Sequence, residues 1–226
     1  MEICILGDSV AKGIIFDEDK GKYTFAKSNY YNIVGKKKNL KINNFAKFGC
    51  TVKKGYELLQ KKFETMEEYK YTILEFGGND CDFLWPEIAS EPEKEHLSKV
   101  PTDKFIKYYE ELLLKIRELG STPIILNLPP IDSNRFFQWI SKGLNKDNIM
   151  NFLGNDVDYI YRWHESYNKA IIALAAKTNT PIIDIRNEFL ATKNYSKYLC
   201  IDGIHPNEEG HKLIAKAIMK KANGYI

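Results

Sequence analysis

The sequence predicts a layered α/β domain on a mostly parallel sheet, and three observations carry that prediction. Short β-rich runs alternate from end to end with longer segments whose apolar residues recur every three or four positions. The β-rich runs hold four or more of Ile, Leu, Val, Phe or Tyr almost continuously, or end on strong turn residues, as strands buried on both faces do. The length, 226 residues, suits one domain and is short for two, since domains cluster at roughly 100 to 200 residues. No linker, repeat or low-complexity stretch divides the chain, so residues 1–226 are read as one domain.

Strands are expected at Glu2 to Leu6, Lys41 to Phe45, Tyr71 to Phe76, Pro123 to Leu128 and Pro181 to Ile185. Between the second and third, Leu58, Leu59, Phe63 and Met66 line one helix face; between the third and fourth, Phe105, Tyr109, Leu112, Leu113, Ile116 and Leu119 do so. Gly120 directly follows that helix, where a C-terminal glycine is expected. Tyr167, Ile171, Leu174 and Ala175 mark the helix before the fifth strand, and Leu213, Ile214, Ala217 and Ile218 the helix after it. Strand, helix and next parallel strand imply right-handed crossovers. One stretch breaks the rhythm. Residues 131–162 are long, irregular and rich in aromatics, with Phe136, Phe137, Trp139, Phe152, Tyr159 and Tyr161. Following the fourth strand, they should sit at the carboxyl edge of the sheet, where open α/β folds bind ligands. They read as a cleft-shaping insertion, or as an extra helix closing the core.

Composition narrows the classes. Hydrophobic residues at 44% and aromatics at 13% exclude global disorder. Lys and Arg number 33 against 30 Asp and Glu, a net of +3, so no strong field is available for nucleic acid. Cys4, Cys50, Cys81 and Cys200 are too dispersed for a zinc or disulfide framework and read as free thiols of a reducing compartment. No stretch approaches 18 apolar residues and the first residues carry no basic region. A cytoplasmic protein without membrane insertion is expected, though a trimmed export signal would leave no trace.

Four small motifs follow the predicted strands. Gly7-Asp8-Ser9 can place a serine hydroxyl at the sheet edge, or simply supply a helix N-cap serine. In Ala46-Lys47-Phe48-Gly49-Cys50-Thr51, Gly49 could present a bare backbone N–H. Gly77-Gly78-Asn79-Asp80 allows close backbone approach and offers a side-chain amide to an oxyanion, or is only a turn. In Asp202-Gly203-Ile204-His205-Pro206-Asn207, followed by a helix starting near Asn207 to Glu209, Asp202 can fix the tautomer of a basic His205, or merely cap its own loop. Singly these are weak; jointly they supply a nucleophile, a base, its orienter and oxyanion donors.

In this order the motifs match those of the SGNH hydrolases, the GDSL esterase/lipase superfamily, which the sequence resembles from residue 7 to 206. Val10 stands where the older family name expects Leu, a position of apolar packing. The resemblance implies a three-layer α/β/α, flavodoxin-like fold with a five-stranded parallel sheet. It implies Ser9 as nucleophile, His205 as base, Asp202 as its orienter, and an oxyanion hole of the Ser9 and Gly49 N–H groups and the Asn79 side chain. It also implies ester hydrolysis through an acyl-enzyme, without cofactor.

Asp8, Phe136, Trp139 and Trp163 are the candidate substrate contacts. Only Asp202, His205 and His164 could gather as metal ligands, too few for a site, so no metal is expected. His96 lies in a polar run, His211 reads as a surface or half-buried helical residue, and Lys36, Lys37 and Lys38 as a solvated helix end. A small-molecule ester is the expected partner, an acetyl ester by preference and an acetylated carbohydrate among the options, because no long apolar run suggests a fatty-chain tunnel. Lysophospholipase, thioesterase and an inactive carbohydrate-binding relative are the alternatives. A flavodoxin-like FMN module would need a Ser-, Thr- and Gly-rich loop where Val10 to Ile15 stands.

Overall fold

A computed structural model describes residues 2–61 and 69–222. In chain order the first half runs β1 (Glu2–Gly7), α1 (Ser9–Lys12), β2 (Ile14–Asp17), β3 (Lys22–Phe25), α2 (Tyr30–Lys38), β4 (Lys41–Asn44), α3 (Val52–Lys61) and β5 (Tyr71–Glu75). There follow α4 (Trp85–Ser90), α5 (Thr102–Glu118), β6 (Thr122–Leu126), α6 (Ser133–Ile140), α7 (Lys146–Phe152) and α8 (Tyr159–Lys177). The chain then forms β7 (Ile182–Ile183), α9 (Arg186–Leu190), a 3-10 turn (Tyr195–Tyr198) and α10 (Glu208–Ala222). All five expected strands are present, and the Leu58 and Leu59 helix is α3; Phe63 and Met66 lie outside the described residues.

The five strands form one parallel sheet in the order β4-β1-β5-β6-β7. Side chains of a strand alternate between faces, and the near-continuous apolar runs serve both. Cys4, Leu6, Leu74 and Ile125 join Leu59 of α3, Leu112 and Ile116 of α5 and Ile171 of α8 in one core. Ile3, Ile5, Ile73 and Leu126 join Val34 of α2, Phe189 of α9 and Ile214 and Ile218 of α10 in the other. Helix, sheet and helix therefore form three layers. The chain moves from β1 outward to β4 and returns to β5 on the opposite side, so the order reverses beside β1. Open α/β sheets bind ligands outside the carboxyl ends of strands at such a switch point.

Three local outcomes add to the sequence reading or differ from it. First, the stretch after α1, where the sequence reading names no strand, holds β2 and β3, which pair as an antiparallel hairpin with Phe16 opposite Tyr23. Apolar Ile14 to Phe16 and Tyr23 to Phe25 flank a charged turn ending in Gly21, a hairpin signal too short to stand out beside the longer sheet strands. Second, β7 has two residues instead of five. Beyond it the Ile185 N–H donates to the side chain of Asn127 at 2.7 Å, and Asn127 in turn donates to Asp184 at 2.8 Å, so side-chain bonds replace the ladder. Third, residues 131–162 form α6, α7 and the first turn of α8, which pack with Phe83, Trp85 and Ile88 into a third, separate apolar cluster.

Candidate active site

The site starts at the turn out of β1. Asp8 caps α1, its Oδ1 accepting from the Val10 N–H at 2.8 Å. Ser9 is therefore the first residue of the helix rather than its cap. Only glycine fits before it: a Cβ on Gly7 would lie 2.4 Å from the Ala11 Cβ and 2.5 Å from the Glu75 carbonyl oxygen. Ser9 Oγ lies 2.8 Å from His205 Nε2, and His205 Nδ1 lies 2.6 Å from Asp202 Oδ2. A carboxylate can only accept, so Nδ1 carries the proton and Nε2 is left to accept from the serine hydroxyl.

Asp202 and His205 do not follow a sheet strand directly, since α9 and the 3-10 turn intervene after β7. They sit in a loop closed on itself: Cys200 N–H donates to the His205 carbonyl at 2.8 Å, and Asp202 Oδ1 accepts from the N–H groups of Ile204 and His205 at 3.1 Å. Asp202 thus caps its loop and orients the imidazole at once. Burial acts to raise its pKa, but His205 and the two N–H donors together hold it below the usual carboxylate range. Gly203, at φ 77°, lets this loop lie against the start of α6, where any Cβ would come within 2.6 Å of the Phe136 nitrogen.

The candidate oxyanion donors come from two other loops. Gly49 has φ 67°, a left-handed conformation natural to glycine. The Lys47 N–H donates to the Gly7 carbonyl at 3.0 Å, which holds this loop beside the serine turn. The Asn79 amide donates to Asp8 Oδ2 at 3.0 Å, leaving its second N–H available. Asp80 turns the other way: its Oδ1 accepts from Val52 N–H at 2.9 Å at the start of α3, and burial, reinforced by the charge of Asp8, pushes its pKa up to about 8.

Ser9, Gly49, Asn79 and His205 line one cleft of about 350 Å³. All four candidate substrate contacts, Asp8, Phe136, Trp139 and Trp163, line it too. Asp8 is engaged through both oxygens with Val10 and Asn79, and Trp163 donates its indole N–H to the Cys81 carbonyl at 2.7 Å. Sequence reasoning missed Tyr23 and Phe48, whose rings lie 5.1 and 6.0 Å from the His205 ring, Phe48 stacked parallel to it. Tyr23 reaches the site on the hairpin, where Phe16 also meets Trp139 at 4.7 Å. The only signal for Tyr23 was the hairpin pattern itself, whereas Phe48 stands directly before Gly49 in the second motif. Phe83 and Ile160 complete the apolar wall.

The other histidines separate clearly. His164 is buried in the cleft wall, its Nδ1 without a hydrogen-bond partner, and burial depresses its pKa to about 3. His96 is exposed. His211, expected at the surface or half buried, is fully buried and stacked on Tyr30, because residues 211, 214 and 218 share the α10 face that packs on the sheet. The four cysteines are buried thiols, none joined in a disulfide. Among the described residues no helix is long and apolar enough to cross a membrane.

The chain superposes on the lipase/acylhydrolase from Enterococcus faecalis with TM-score 0.69 at 19% identity, covering 99% of this chain and 96% of that one. It superposes on an acetylxylan esterase from Geobacillus stearothermophilus with TM-score 0.65 at 18% identity, covering 97% and 93%. A lipolytic protein of the G-D-S-L family from Veillonella parvula gives 0.66 at 18%, covering 97% of both chains. No curated protein sequence gives a match. At these identities the structures speak for the fold. The family profile speaks for descent, matching residues 5–213, a span that holds the serine turn, both donor loops and the Asp202 to His205 loop. The chain belongs to the GDSL-like lipase/acylhydrolase family of esterase- and lipase-type hydrolases.

Proposed function

We propose that the protein is a serine carboxylic-ester hydrolase acting through an acyl-enzyme. The observation that supports this reading best is the continuous chain from Ser9 Oγ through His205 to Asp202, with contacts of 2.8 and 2.6 Å. In the first step Ser9 Oγ attacks the ester carbonyl while His205 Nε2 takes its proton, and Asp202 stabilises the imidazolium. The tetrahedral oxyanion is received by the N–H groups of Ser9 and Gly49 and the Asn79 amide. Collapse of this intermediate breaks the bond to the alcohol oxygen, which leaves with the proton from His205. Water, deprotonated by the same nitrogen, then attacks the acyl-serine and releases the acid.

The leaving alcohol must lie beside the imidazole that protonates it, and there Tyr23, Phe48 and Trp139 offer aromatic faces. Such faces suit a sugar ring or an aryl group. An acetyl ester of a carbohydrate is thus the favoured substrate class, a reading in keeping with the acetylxylan esterase among the similar structures. A second reading, a longer acyl chain as in a lysophospholipase or thioesterase, draws on the apolar wall of Phe83, Phe136, Ile160 and Trp163. A series of p-nitrophenyl esters from acetyl to dodecanoyl, run beside acetylated xylooligosaccharides and lysophospholipid, separates the two. A steep preference for acetyl supports the first. Each methylene buried in the cleft contributes about 0.8 kcal/mol, roughly fourfold in kcat/KM, so a rise of that slope with chain length replaces it by the second. Failure of a fluorophosphonate to label Ser9 would sink both.

A further inference from the structure

Beneath the oxyanion side of the cleft lie two carboxyl groups that the mechanism above leaves unused. Asp8 is 2% exposed and Glu75 1%; the Asp8 N–H donates to the Glu75 carbonyl at 3.2 Å, and the two carboxyl groups lie within reach of a hydrogen bond to each other. Two carboxylates cannot share such a bond, because each only accepts. One must carry a proton. Burial pushes the Asp8 pKa up as well, but two donors, the Val10 N–H at 2.8 Å and the Asn79 amide at 3.0 Å, oppose that shift and favour the anion there. Glu75 meets one, the Ala11 N–H on Oε2 at 3.1 Å, which leaves Oε1 to bear hydrogen.

The titratable groups facing the pair from the surrounding elements include Asp80, Tyr30 of α2, Tyr109 of α5 and, on the Asp8 side, His205 and the thiols of Cys50 and Cys81. Burial, followed by the charge and hydrogen bond of Asp8, drives the Glu75 pKa far above the ordinary carboxyl value. None of the flanking acids or phenols offsets this, and His205 faces Asp8.

We propose that Glu75 is a positioning residue for the oxyanion hole: it stays neutral, donates its proton to Asp8, and so keeps Asp8 an anion that holds the Asn79 amide with its nitrogen toward the cleft. A lost or ionised Glu75 frees Asp8 to shift or take up a proton itself, and Asn79 then loses the acceptor that fixes its rotamer and flip. The catalytic part of this role rests on the esterase reading above; the charge state does not.

The experiment joins a spectroscopic and a kinetic measurement. Infrared difference spectra are recorded near pH 9, about one unit above the value of about 8 at Asp80, so that Asp80 is ionised. A carboxylic-acid carbonyl band is expected in wild type and in Asp80→Asn, and is expected to vanish in Glu75→Gln. In turnover of p-nitrophenyl acetate, Glu75→Gln, whose amide can still donate to Asp8, should stay within about threefold of wild type and extend activity to higher pH. Glu75→Ala should lower kcat roughly tenfold or more, up to the 10²- to 10³-fold cost of a missing oxyanion donor, with KM little changed. It should cost almost nothing further in an Asn79→Ala background. Absence of the band with turnover intact overturns this proposal alone. A loss in Glu75→Ala that persists undiminished beside Asn79→Ala, or a Glu75→Gln enzyme as poor as Glu75→Ala, overturns the positioning role. A wild type that shows the band but hydrolyses no ester overturns the esterase reading and, with it, the catalytic role, leaving only the shared proton.

Discussion

The polar side of the cleft and its apolar side are built by different means. Ser9, Gly49 and Asn79 each stand a few residues beyond a strand of the sheet, and His205 reaches them from a self-closed loop of six residues bounded by the Leu199 and Pro206 bridge. Their backbone is fixed by neighbours in the ladder and by glycines at forced positions. The apolar side has no strand of the sheet in it. Phe83, Phe136, Ile160 and Trp163 come from a loop and two helices and pack in a small cluster of their own, while Trp139 of α6 meets Tyr23 of the hairpin. A site whose atoms must sit within a few tenths of an ångström uses the rigid ladder, and a wall that need only fit a shape can use helices joined by side-chain contact.

The sharpest way to test this division is to remove a group from each side and compare. Ser9→Ala should abolish ester hydrolysis, a loss of roughly 10⁴- to 10⁶-fold in kcat, with thermal stability almost unchanged; retention of most activity would break the assignment of the polar side. Asn79→Ala should follow at about 10²- to 10³-fold in kcat with little change in KM, as expected of a donor that acts only on the transition state. On the apolar side the pattern should invert. Phe48→Ala, at a ring 54% exposed, should raise KM severalfold for esters of bulky alcohols while p-nitrophenyl acetate turnover holds within about threefold. Equal losses for all alcohols would mean that Phe48 serves the His205 ring rather than the substrate.

Acid titration distinguishes the wall from the three-layer framework, since each contains one buried neutral histidine. His211 in the framework has its pKa depressed to about 4 and His164 in the wall to about 3, burial being the chief cause in both. A depressed folded pKa means that stability is full above the unfolded value of about 6.5 and is lost as pH falls toward the folded values. For His211 the shift corresponds to about 3 kcal/mol at full protonation. Urea midpoints should therefore fall between pH 6.5 and 4, and His211→Leu should flatten part of that fall. Should cleft-wall fluorescence from Trp163 change before global unfolding, the wall opens first and the two regions are energetically separate; coincident transitions would join them.

Much of the polar side was legible in the sequence because its signals are local. Gly7 before Ser9, the paired glycines before Asn79 and the three-residue interval from Asp202 to His205 are read within a few positions, and apolar runs mark the strands that bring them together. The hairpin was not legible beside them: four-residue strands carry little periodic signal, and nothing in Lys22 to Phe25 says that Tyr23 will meet His205. His211 was misplaced for a related reason, since a histidine contributes nothing apolar to the pattern that defines its helix face. The shortness of β7 came from the side chain of Asn127, more than fifty residues away in sequence.

The sequence by itself determined the layered class, the strand order of events along the chain, the motif residues and the family resemblance, because each depends on residues close in sequence or on simple alternation. Only the tertiary structure decided that Asp8 holds Asn79, that residues 131–162 pack into a core of their own, that the hairpin faces His205, and that Glu75 meets Asp8. These depend on contacts between groups distant in sequence, across positions 8 and 75, 23 and 205, 16 and 139, and no local pattern encodes which of many compatible surfaces will meet when the layers close.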